Sequence, residues 1–247
     1  MDAQHNALSE SDSPNLLIPR PRAQAEAFAA RIARDMPSRW RCALAPLIEI
    51  RFRAGPVDAG DADTLIFTSA NGVAAYVAAG GAPGLPAVCV GEGTALAARA
   101  EGLTARVAGP DAAALIAALT TGRADGRRYL HVRGAHAAAD VAGALRAAGR
   151  HANEVVLYDQ AARSLPGDVI AALTDGGFAG VTLFSPRSAR LLAEALSGPV
   201  LPPDCVRFCL SPAVAQAAGA LGPGRIEIAA DPSADSMLAL LRKTAAR

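Results

Sequence analysis

The sequence predicts an α/β fold with parallel sheets, built as two related halves. The chain repeats itself with a displacement of about 113 to 120 residues, so that L-I-F-T-S at residues 65–69 returns as V-T-L-F-S at residues 181–185. Near-continuous apolar segments also alternate with alanine-rich stretches of helical length. Apolar strands that alternate with helices are typical of parallel sheets covered on both faces. Because duplicated α/β halves usually enclose a ligand, the repeat also suggests a binding function.

Each half contains four strand-and-helix units, in the order A, B, C, D and then A′, B′, C′, D′. Residues 16–32 correspond to residues 129–145, and residues 107–119 correspond to residues 228–241. The apolar runs that begin the units predict the strands. We place these strands at residues 16–19, 64–68, 87–90, 105–108, 129–132, 180–184, 206–210 and 226–229.

Two further extended segments interrupt this pattern, at residues 47–52 and 155–158. Each follows an A-type unit and stands where the chain passes to the next block, which predicts a paired hinge between two lobes. The units divide either sequentially, A with B, C and D, or crosswise, A with B′, C′ and D′. The sequence leaves both divisions open, although the short loop at residues 125–128 favours the crosswise one.

Composition excludes several classes of partner and site. With 24 basic and 23 acidic residues, the formal net charge is +1, so we expect neither a nucleic-acid nor a membrane partner. The four cysteines form no C-x-x-C motif, and none lies at the spacing from a histidine that is typical of metal ligands, so we expect no metal site. They are interpreted as reduced thiols of a cytoplasmic protein. Residues 1–15 are polar and acidic, which predicts a disordered leader.

Small, hydroxyl-bearing and basic residues follow several predicted strands. Ligands of parallel sheets gather at the carboxyl ends of strands, where helix N-termini present free N–H groups. Helix capping is the competing explanation for the hydroxyl residues, at about 1 kcal/mol each. Arg133 ends an apolar strand, which favours binding over packing. The candidate binding residues are Arg20, Ser69, Asn71, Gly91, Arg133, Gly134, Ser185, Arg187 and Ser188.

No catalytic triad, carboxylate pair or metal cluster emerges from the spacing of polar residues. His131 lies inside a predicted strand, so we interpret it as a core histidine. If the protein is an enzyme, it acts by holding a reactive substrate rather than through strongly reactive side chains.

Five short motifs, each weak alone, stand in a fixed order along the chain. They are L-I-F-T-S-A-N-G-V (65–73), C-V-G-E-G-T-A-L-A (89–97), Y-L-H-V-R-G (129–134), E-V-V-L-Y-D (154–159) and T-L-F-S-P-R-S-A (182–189). Their order and spacing, between residues 16 and 241, resemble the uroporphyrinogen-III synthase family.

The resemblance implies two flavodoxin-like lobes with parallel sheets in the crosswise arrangement. A two-stranded β-ladder hinge would join the lobes, with a cleft between them. The implied boundaries are residues 16–46 with 163–247 for lobe 1, residues 47–53 and 154–160 for the hinge strands, and residues 54–153 for lobe 2.

The resemblance also implies a monomeric, cytoplasmic enzyme of tetrapyrrole biosynthesis (heme, siroheme or cobalamin), with no cofactor. This hydro-lyase would dehydrate and cyclise hydroxymethylbilane, which carries eight carboxylates, and invert its ring D. A transient hand-off from hydroxymethylbilane synthase is a further implied contact. Because the free substrate closes unaided to the symmetric isomer I, the enzyme must select a geometry, which is catalysis by orientation.

Two residues match catalytic positions of the family. Tyr158 matches its best-known cleft tyrosine; with an ordinary pKa of about 10 it would be neutral at pH 7 and could donate a hydrogen bond to the departing hydroxyl. Thr94 completes the glycine-and-threonine loop that begins at Gly91. In the second copy of this loop, Ser211 and Val214 replace the usual glycine and threonine.

A basic residue that often follows the Arg-Gly pair is also missing from this chain. Arg20, Arg22 or Arg187 is predicted to supply the charge. These departures leave an alternative function open, a non-catalytic two-lobed anion-binding or sensor module of the same fold. A nucleotide or sugar-phosphate enzyme is a weaker alternative, because the P-loop and dinucleotide motifs are missing.

Overall fold

The structure, a computed structural model, describes residues 13–123, 126–198 and 200–244. It contains helices and two sheets, and the predicted α/β class with parallel sheets is confirmed. Residues 1–12 of the predicted leader lie outside the described residues. Asn15, the last residue of the predicted leader, belongs to the first strand.

All eight strands predicted from the repeat are present, with ends that differ by one or two residues. Along the described chain the strands are β1 (Asn15–Ile18), β2 (Arg41–Leu44), β3 (Ile48–Phe52), β4 (Thr64–Phe67), β5 (Pro86–Val90), β6 (Thr104–Gly109), β7 (Arg128–Gly134), β8 (His151–Ala162), β9 (Gly180–Leu183), β10 (Val206–Cys209) and β11 (Ile226–Ile228).

Helices follow most of these strands. They are α1 (Arg22–Asp35), α2 (Ala70–Ala78), α3 (Gly91–Ala100), α4 (Ala112–Thr120), α5 (Val141–Ala147), α6 (Gly167–Thr174), α7 (Pro186–Leu196), α8 (Pro212–Ala218) and α9 (Ala234–Thr244), with a short 3-10 helix at Gly219–Leu221. None of these helices combines the length and the apolar character needed to cross a membrane.

The two sheets draw their strands from both halves of the repeat. One sheet has the order β11-β10-β9-β1-β2, which joins the strand of unit A to those of units B′, C′ and D′. The other has the order β3-β8-β7-β4-β5-β6, which joins unit A′ to units B, C and D. The strand order therefore corresponds to the crosswise division.

The contacts divide the chain into two compact units. Unit 1 comprises the chain up to Glu49 and from Ala162 onward, and unit 2 comprises Ile50–Ala161. The chain passes between the units once within β3 and once at the end of β8. These strands are antiparallel neighbours, since Arg53 N–H donates to the Leu157 carbonyl and Arg163 N–H donates to the Leu47 carbonyl.

Two extended segments differ from the prediction. β8 begins at His151 and continues to Ala162, well beyond the predicted residues 155–158, and β2 was not predicted. The start of β8 pairs with β7 in parallel, as β2 pairs with β1. In the first half, Pro46 stands between β2 and β3; it has no N–H to donate, and the extended chain divides there. The second half has no proline at this point, so the single strand β8 corresponds to both β2 and β3 of the first half.

Each sheet is buried on both faces, which explains the continuous apolar strands. In unit 1, Leu17 packs in one apolar cluster whereas Leu16 and Ile18 pack in another. In unit 2, Phe67 and Ile66 likewise belong to different clusters. Successive side chains of a strand point to opposite faces, so a sheet covered on both sides needs apolar residues at every position.

Candidate active site

The predicted site residues lie at the carboxyl edges of the two sheets, where the parallel strands end and the next helices begin. Each unit holds a separate set. Unit 2 holds Ser69, Asn71, Gly91, Thr94, Arg133, Gly134 and Tyr158, and unit 1 holds Arg20, Ser185, Arg187 and Ser188.

The Tyr158 hydroxyl is the centre of a hydrogen-bond network in unit 2. Tyr158 lies in β8 with 3% of its surface exposed. Its hydroxyl is hydrogen-bonded to the side chains of Ser69 and Gln160 and to the backbone of Gly134. Burial raises the pKa of Tyr158 above its ordinary value, and the hydrogen bonds only partly oppose that shift. At neutral pH the phenol is therefore protonated and is able to donate.

Gly134 makes room for the Tyr158 ring. The two residues are register partners in β7 and β8, and the register shifts between Arg133 and Gly134. A Cβ atom at position 134 would lie 2.6 Å from the ring carbon Cε2 of Tyr158. The Ala135 N–H donates to the Tyr158 carbonyl at 2.9 Å, which holds the backbone at this point. Glycine is therefore required at position 134 by the ring packed over it.

Ser69 reaches this network from the start of α2. It is the N-cap of the helix, and its Oγ accepts a hydrogen bond from the Asn71 N–H at 3.2 Å. α2 packs directly against β7, since a Cβ atom at Gly72 would lie 3.0 Å from the Val132 carbonyl oxygen. Ser69 therefore combines the capping role with a contact to Tyr158.

The segment from Gly91 to Thr94, predicted as a loop, is instead the first turn of α3. Gly91 has a φ of +68°, which favours glycine, and no side chain caps this helix. A Cβ atom at Gly91 or Gly93 would meet nothing within 4 Å. The first N–H groups of α3 therefore carry partial positive charge beside open space. Thr94 is 8% exposed, so its side chain lies largely beneath this surface.

Arg133 is neutralised by a partner that the sequence analysis did not identify. Its guanidinium lies 2.7 Å from the Glu154 carboxylate and donates to the Gly134 carbonyl at 3.0 Å. The pairing raises the pKa of Arg133 and lowers that of Glu154. These contacts hold the end of β7 against β8, which gives Arg133 a structural role that needs no ligand. Its role in substrate binding therefore stays a prediction.

His131 is a core residue, as predicted. Its side chain is buried in β7, and burial lowers its pKa to about 4, so the imidazole is neutral at pH 7. Its Nε2 atom lies 3.4 Å from the Thr68 hydroxyl, at the carboxyl end of β4.

The serines of unit 1 cap helices. Ser185 and Ser188 form a reciprocal capping box at the start of α7, in which the Ser188 N–H donates to Ser185 Oγ at 3.1 Å. Ser211, the divergent residue of the second copy, caps α8 by accepting from the Val214 N–H. These hydrogen bonds account for all three hydroxyls in structural terms.

Arg20 lies on an aromatic ring rather than on an acid. Its guanidinium carbon is 3.8 Å from the centroid of the Phe184 ring, and its Nη2 is 3.5 Å from Gln24 Oε1. Phe28 from α1 packs edge-on against Phe184, with ring centroids 5.1 Å apart. Burial lowers the pKa of Arg20 to about 10, which leaves it charged at pH 7.

Two further contacts, besides the Arg133–Glu154 pair, were not predicted from the sequence. Gln160 lies two residues after Tyr158 in the same strand, so strand periodicity could have placed both on one face. Phe184 occupies the position that corresponds to Thr68 in the repeat. This aromatic residue in place of a hydroxyl residue could have pointed to the contact with Arg20.

Comparison with known proteins identifies the family. The family model described as uroporphyrinogen-III synthase HemD matches residues 23–239. The chain belongs to the uroporphyrinogen-III synthase family. The predicted enzyme class, a cyclising hydro-lyase (EC 4.2.1.75) of tetrapyrrole biosynthesis, is thereby confirmed.

Solved structures of uroporphyrinogen-III synthases share the fold. The enzyme from Helicobacter pylori superposes with a TM-score of 0.61 at 17% sequence identity, over 94% of this chain and 99% of the other. A mutant uroporphyrinogen III synthase from Thermus thermophilus gives a TM-score of 0.57 at 17% identity, over 95% and 99% of the two chains. No curated protein sequence matches the chain. At this identity the structural likeness supports the fold alone.

Proposed function

We propose that this protein converts hydroxymethylbilane to uroporphyrinogen III, with loss of water and inversion of ring D. Membership of the uroporphyrinogen-III synthase family supports the substrate. The observation that carries the mechanism is the buried Tyr158 hydroxyl, held by Ser69, Gln160 and Gly134 at the carboxyl edge of the unit 2 sheet.

In the proposed reaction, Tyr158 acts as a proton donor. The C–O bond of the hydroxymethyl group breaks as the phenol donates to the departing oxygen, which leaves as water. The pyrrole keeps its N–H, so an N-protonated azafulvene forms beside the phenolate of Tyr158. Ring closure then passes through a spiro intermediate that inverts ring D. The attacking ring gives up a proton when it regains its pyrrole form, and this proton restores the phenol, so the net change is one water lost.

Binding of the substrate carboxylates supplies the orientation. The uncapped N–H groups at the start of α3 suit an anion, and each such contact contributes about 0.3–1 kcal/mol. Several weak contacts on a substrate with eight carboxylates hold it in one conformation. Selecting that conformation is what separates isomer III from the spontaneous isomer I.

The proposal is tested by the isomer ratio. Freshly generated hydroxymethylbilane is incubated with and without the protein, the products are oxidised, and the isomers are separated by chromatography. Predominance of isomer III supports the synthase. Isomer I alone, at the uncatalysed rate with folded protein, contradicts it and favours the anion-binding module.

Tyr158→Phe is expected to lower kcat at least tenfold while the protein stays folded, because the ring remains and only the proton donor is lost. Tyr76→Phe is the matched control: Tyr76 is also buried in unit 2 and donates to the Ala82 carbonyl. The control should lose about 1 kcal/mol of stability and keep its kcat. A near-normal kcat for Tyr158→Phe would remove the donor role.

Arg133→Gln is expected to change KM for hydroxymethylbilane less than threefold, because Glu154 already neutralises this arginine. A free energy of unfolding lower by about 1–2 kcal/mol should accompany the substitution, since Glu154 loses its partner. Steady-state kinetics and urea unfolding measure the two effects. A tenfold rise in KM would instead assign Arg133 to substrate binding.

We further infer that the enzyme is a cytoplasmic monomer and takes its substrate from hydroxymethylbilane synthase by a transient contact. The four free thiols support the compartment. The instability of free hydroxymethylbilane supports a hand-off, because a short transfer leaves less time for spontaneous closure. Light scattering tests the oligomeric state. The transient contact is tested by the isomer ratio in an assay that couples hydroxymethylbilane synthase to this protein, in the presence of a viscogen that slows diffusion.

A further inference from the structure

Arg20 and Phe184 form a preassembled pair at the carboxyl edge of the unit 1 sheet. Arg20 follows β1 and Phe184 follows β9, and these strands are neighbours in the sheet. The guanidinium lies 3.8 Å from the ring centroid, within the range of a cation–π contact. The edge-on packing of Phe28 fixes the Phe184 ring in turn. The arginine is therefore held in one place before any ligand binds.

The repeat supplies an internal comparison for this arginine. Arg20 and Arg133 occupy equivalent positions in the two halves. Arg133 is neutralised by Glu154, whereas within the described part of the chain no carboxylate pairs with Arg20. Arg22, two residues away, is neutralised by Glu26 at 2.8 Å. Arg20 therefore keeps a positive charge that a ligand is able to use.

The Phe184 ring lies against the guanidinium of Arg20, which is the arrangement of a cation–π contact. An aromatic ring covers a face of the planar group, while carboxylates bind along its N–H edge, often through two parallel hydrogen bonds. The acceptor on that edge is the Gln24 amide oxygen at 3.5 Å, which is a long contact. A carboxylate is a stronger acceptor and would displace it.

We propose that Phe184 is a positioning residue, which holds the Arg20 guanidinium ready to clamp a carboxylate of the tetrapyrrole substrate. This inference rests on the proposed function. Burial lowers the pKa of Arg20 only to about 10, so the guanidinium stays charged and the clamp operates throughout the physiological pH range. The clamp supplies a cationic contact to the substrate from the carboxyl edge of the unit 1 sheet.

The test compares KM and kcat for Phe184→Leu, Phe184→Tyr and Arg20→Gln. Phe184→Leu should raise KM for hydroxymethylbilane about 3- to 30-fold, as expected for losing one cation–π contact, with kcat within twofold. Phe184→Tyr keeps a ring face and should restore KM. Arg34→Gln is the charge-removal control, since Arg34 is exposed on α1 and paired with Asp35; its KM should not change.

A double-mutant cycle of dissociation constants tests the same contact without turnover. The dissociation constant of uroporphyrin III, a stable octacarboxylate, is measured by fluorescence for the wild type, the two single variants Phe184→Leu and Arg20→Gln, and the double variant. If Phe184 acts through Arg20, its effect disappears in the Arg20→Gln background. Equal effects of Phe184→Leu in both backgrounds, or an unchanged KM, would overturn the inference. Failure of the proposed function is distinguished by the wild type, which would then form isomer I alone.

Discussion

Replacing Gly134 with alanine is expected to lower kcat about a hundredfold. The new Cβ atom would lie 2.6 Å from Cε2 and 2.7 Å from Cζ of the Tyr158 ring, well inside van der Waals contact. The backbone cannot retreat easily, because Gly134 pairs with β8 and the Ala135 N–H is bonded to the Tyr158 carbonyl. The ring must therefore shift by about 1 Å, and a displacement of that size in a catalytic group costs about 10²-fold.

Kinetic measurements in the wild-type and Tyr158→Phe backgrounds test whether Gly134→Ala acts by displacing the Tyr158 hydroxyl. In a Tyr158→Phe background the Gly134→Ala substitution should cost much less, because the donor that it displaces is already gone. Gly167→Ala is the matched control, since a Cβ atom at Gly167 meets nothing within 4 Å. Stability should fall by about 1–3 kcal/mol for Gly134→Ala, as for other overpacked sites. Full activity of Gly134→Ala would contradict the tight packing described for Tyr158.

Arg207→Met is expected to lower the free energy of unfolding by at least about 3 kcal/mol. Arg207 lies in β10 and is 0% exposed, and its guanidinium donates to backbone carbonyls of the chain segments that precede and follow the strand. Methionine fills much of the volume but leaves buried acceptors unpaired, which costs about 1–3 kcal/mol for each. The acceptors are the carbonyls of Leu201, Pro202, Cys205, Leu221 and Pro223.

Thermal unfolding followed by circular dichroism measures the effect. A loss of about 3 kcal/mol corresponds to a Tm lower by about 6–12 °C for a chain of this size. Arg225→Met is the control, because Arg225 is an exposed arginine paired with Glu227, and such pairs contribute about 0–1 kcal/mol. An unchanged Tm for Arg207→Met would show that water satisfies the carbonyls when the guanidinium is removed.

The strands were predictable because their signal is local. A strand buried on both faces needs an apolar residue at each position, and β4 and β9 are buried at four consecutive residues. β2 escaped prediction because it is short, begins at Arg41 and is buried only in part. β8 was predicted too short because its first residues, at His151 to Glu154, are mostly polar.

The site was predictable only in part, for a different physical reason. The hydroxyl and glycine residues at strand ends are visible in the sequence, since the carboxyl edge of a parallel sheet follows from chain order. Their roles depend on partners that are distant in the chain. Ser185 and Ser188 form a local capping box, whereas Ser69 both caps α2 and contacts Tyr158, and no local pattern separates these two cases.

By itself, the sequence determined the α/β class, the order of the repeated units and the family, because these depend on periodicity and motif spacing along the chain. Only the tertiary structure decided which of two equivalent arginines is neutralised. Arg133 meets Glu154 across β7 and β8, and Arg20 meets Phe184 across β1 and β9. Such contacts require strand pairing in a particular register, and register is set by the packing of the whole sheet rather than by neighbouring residues.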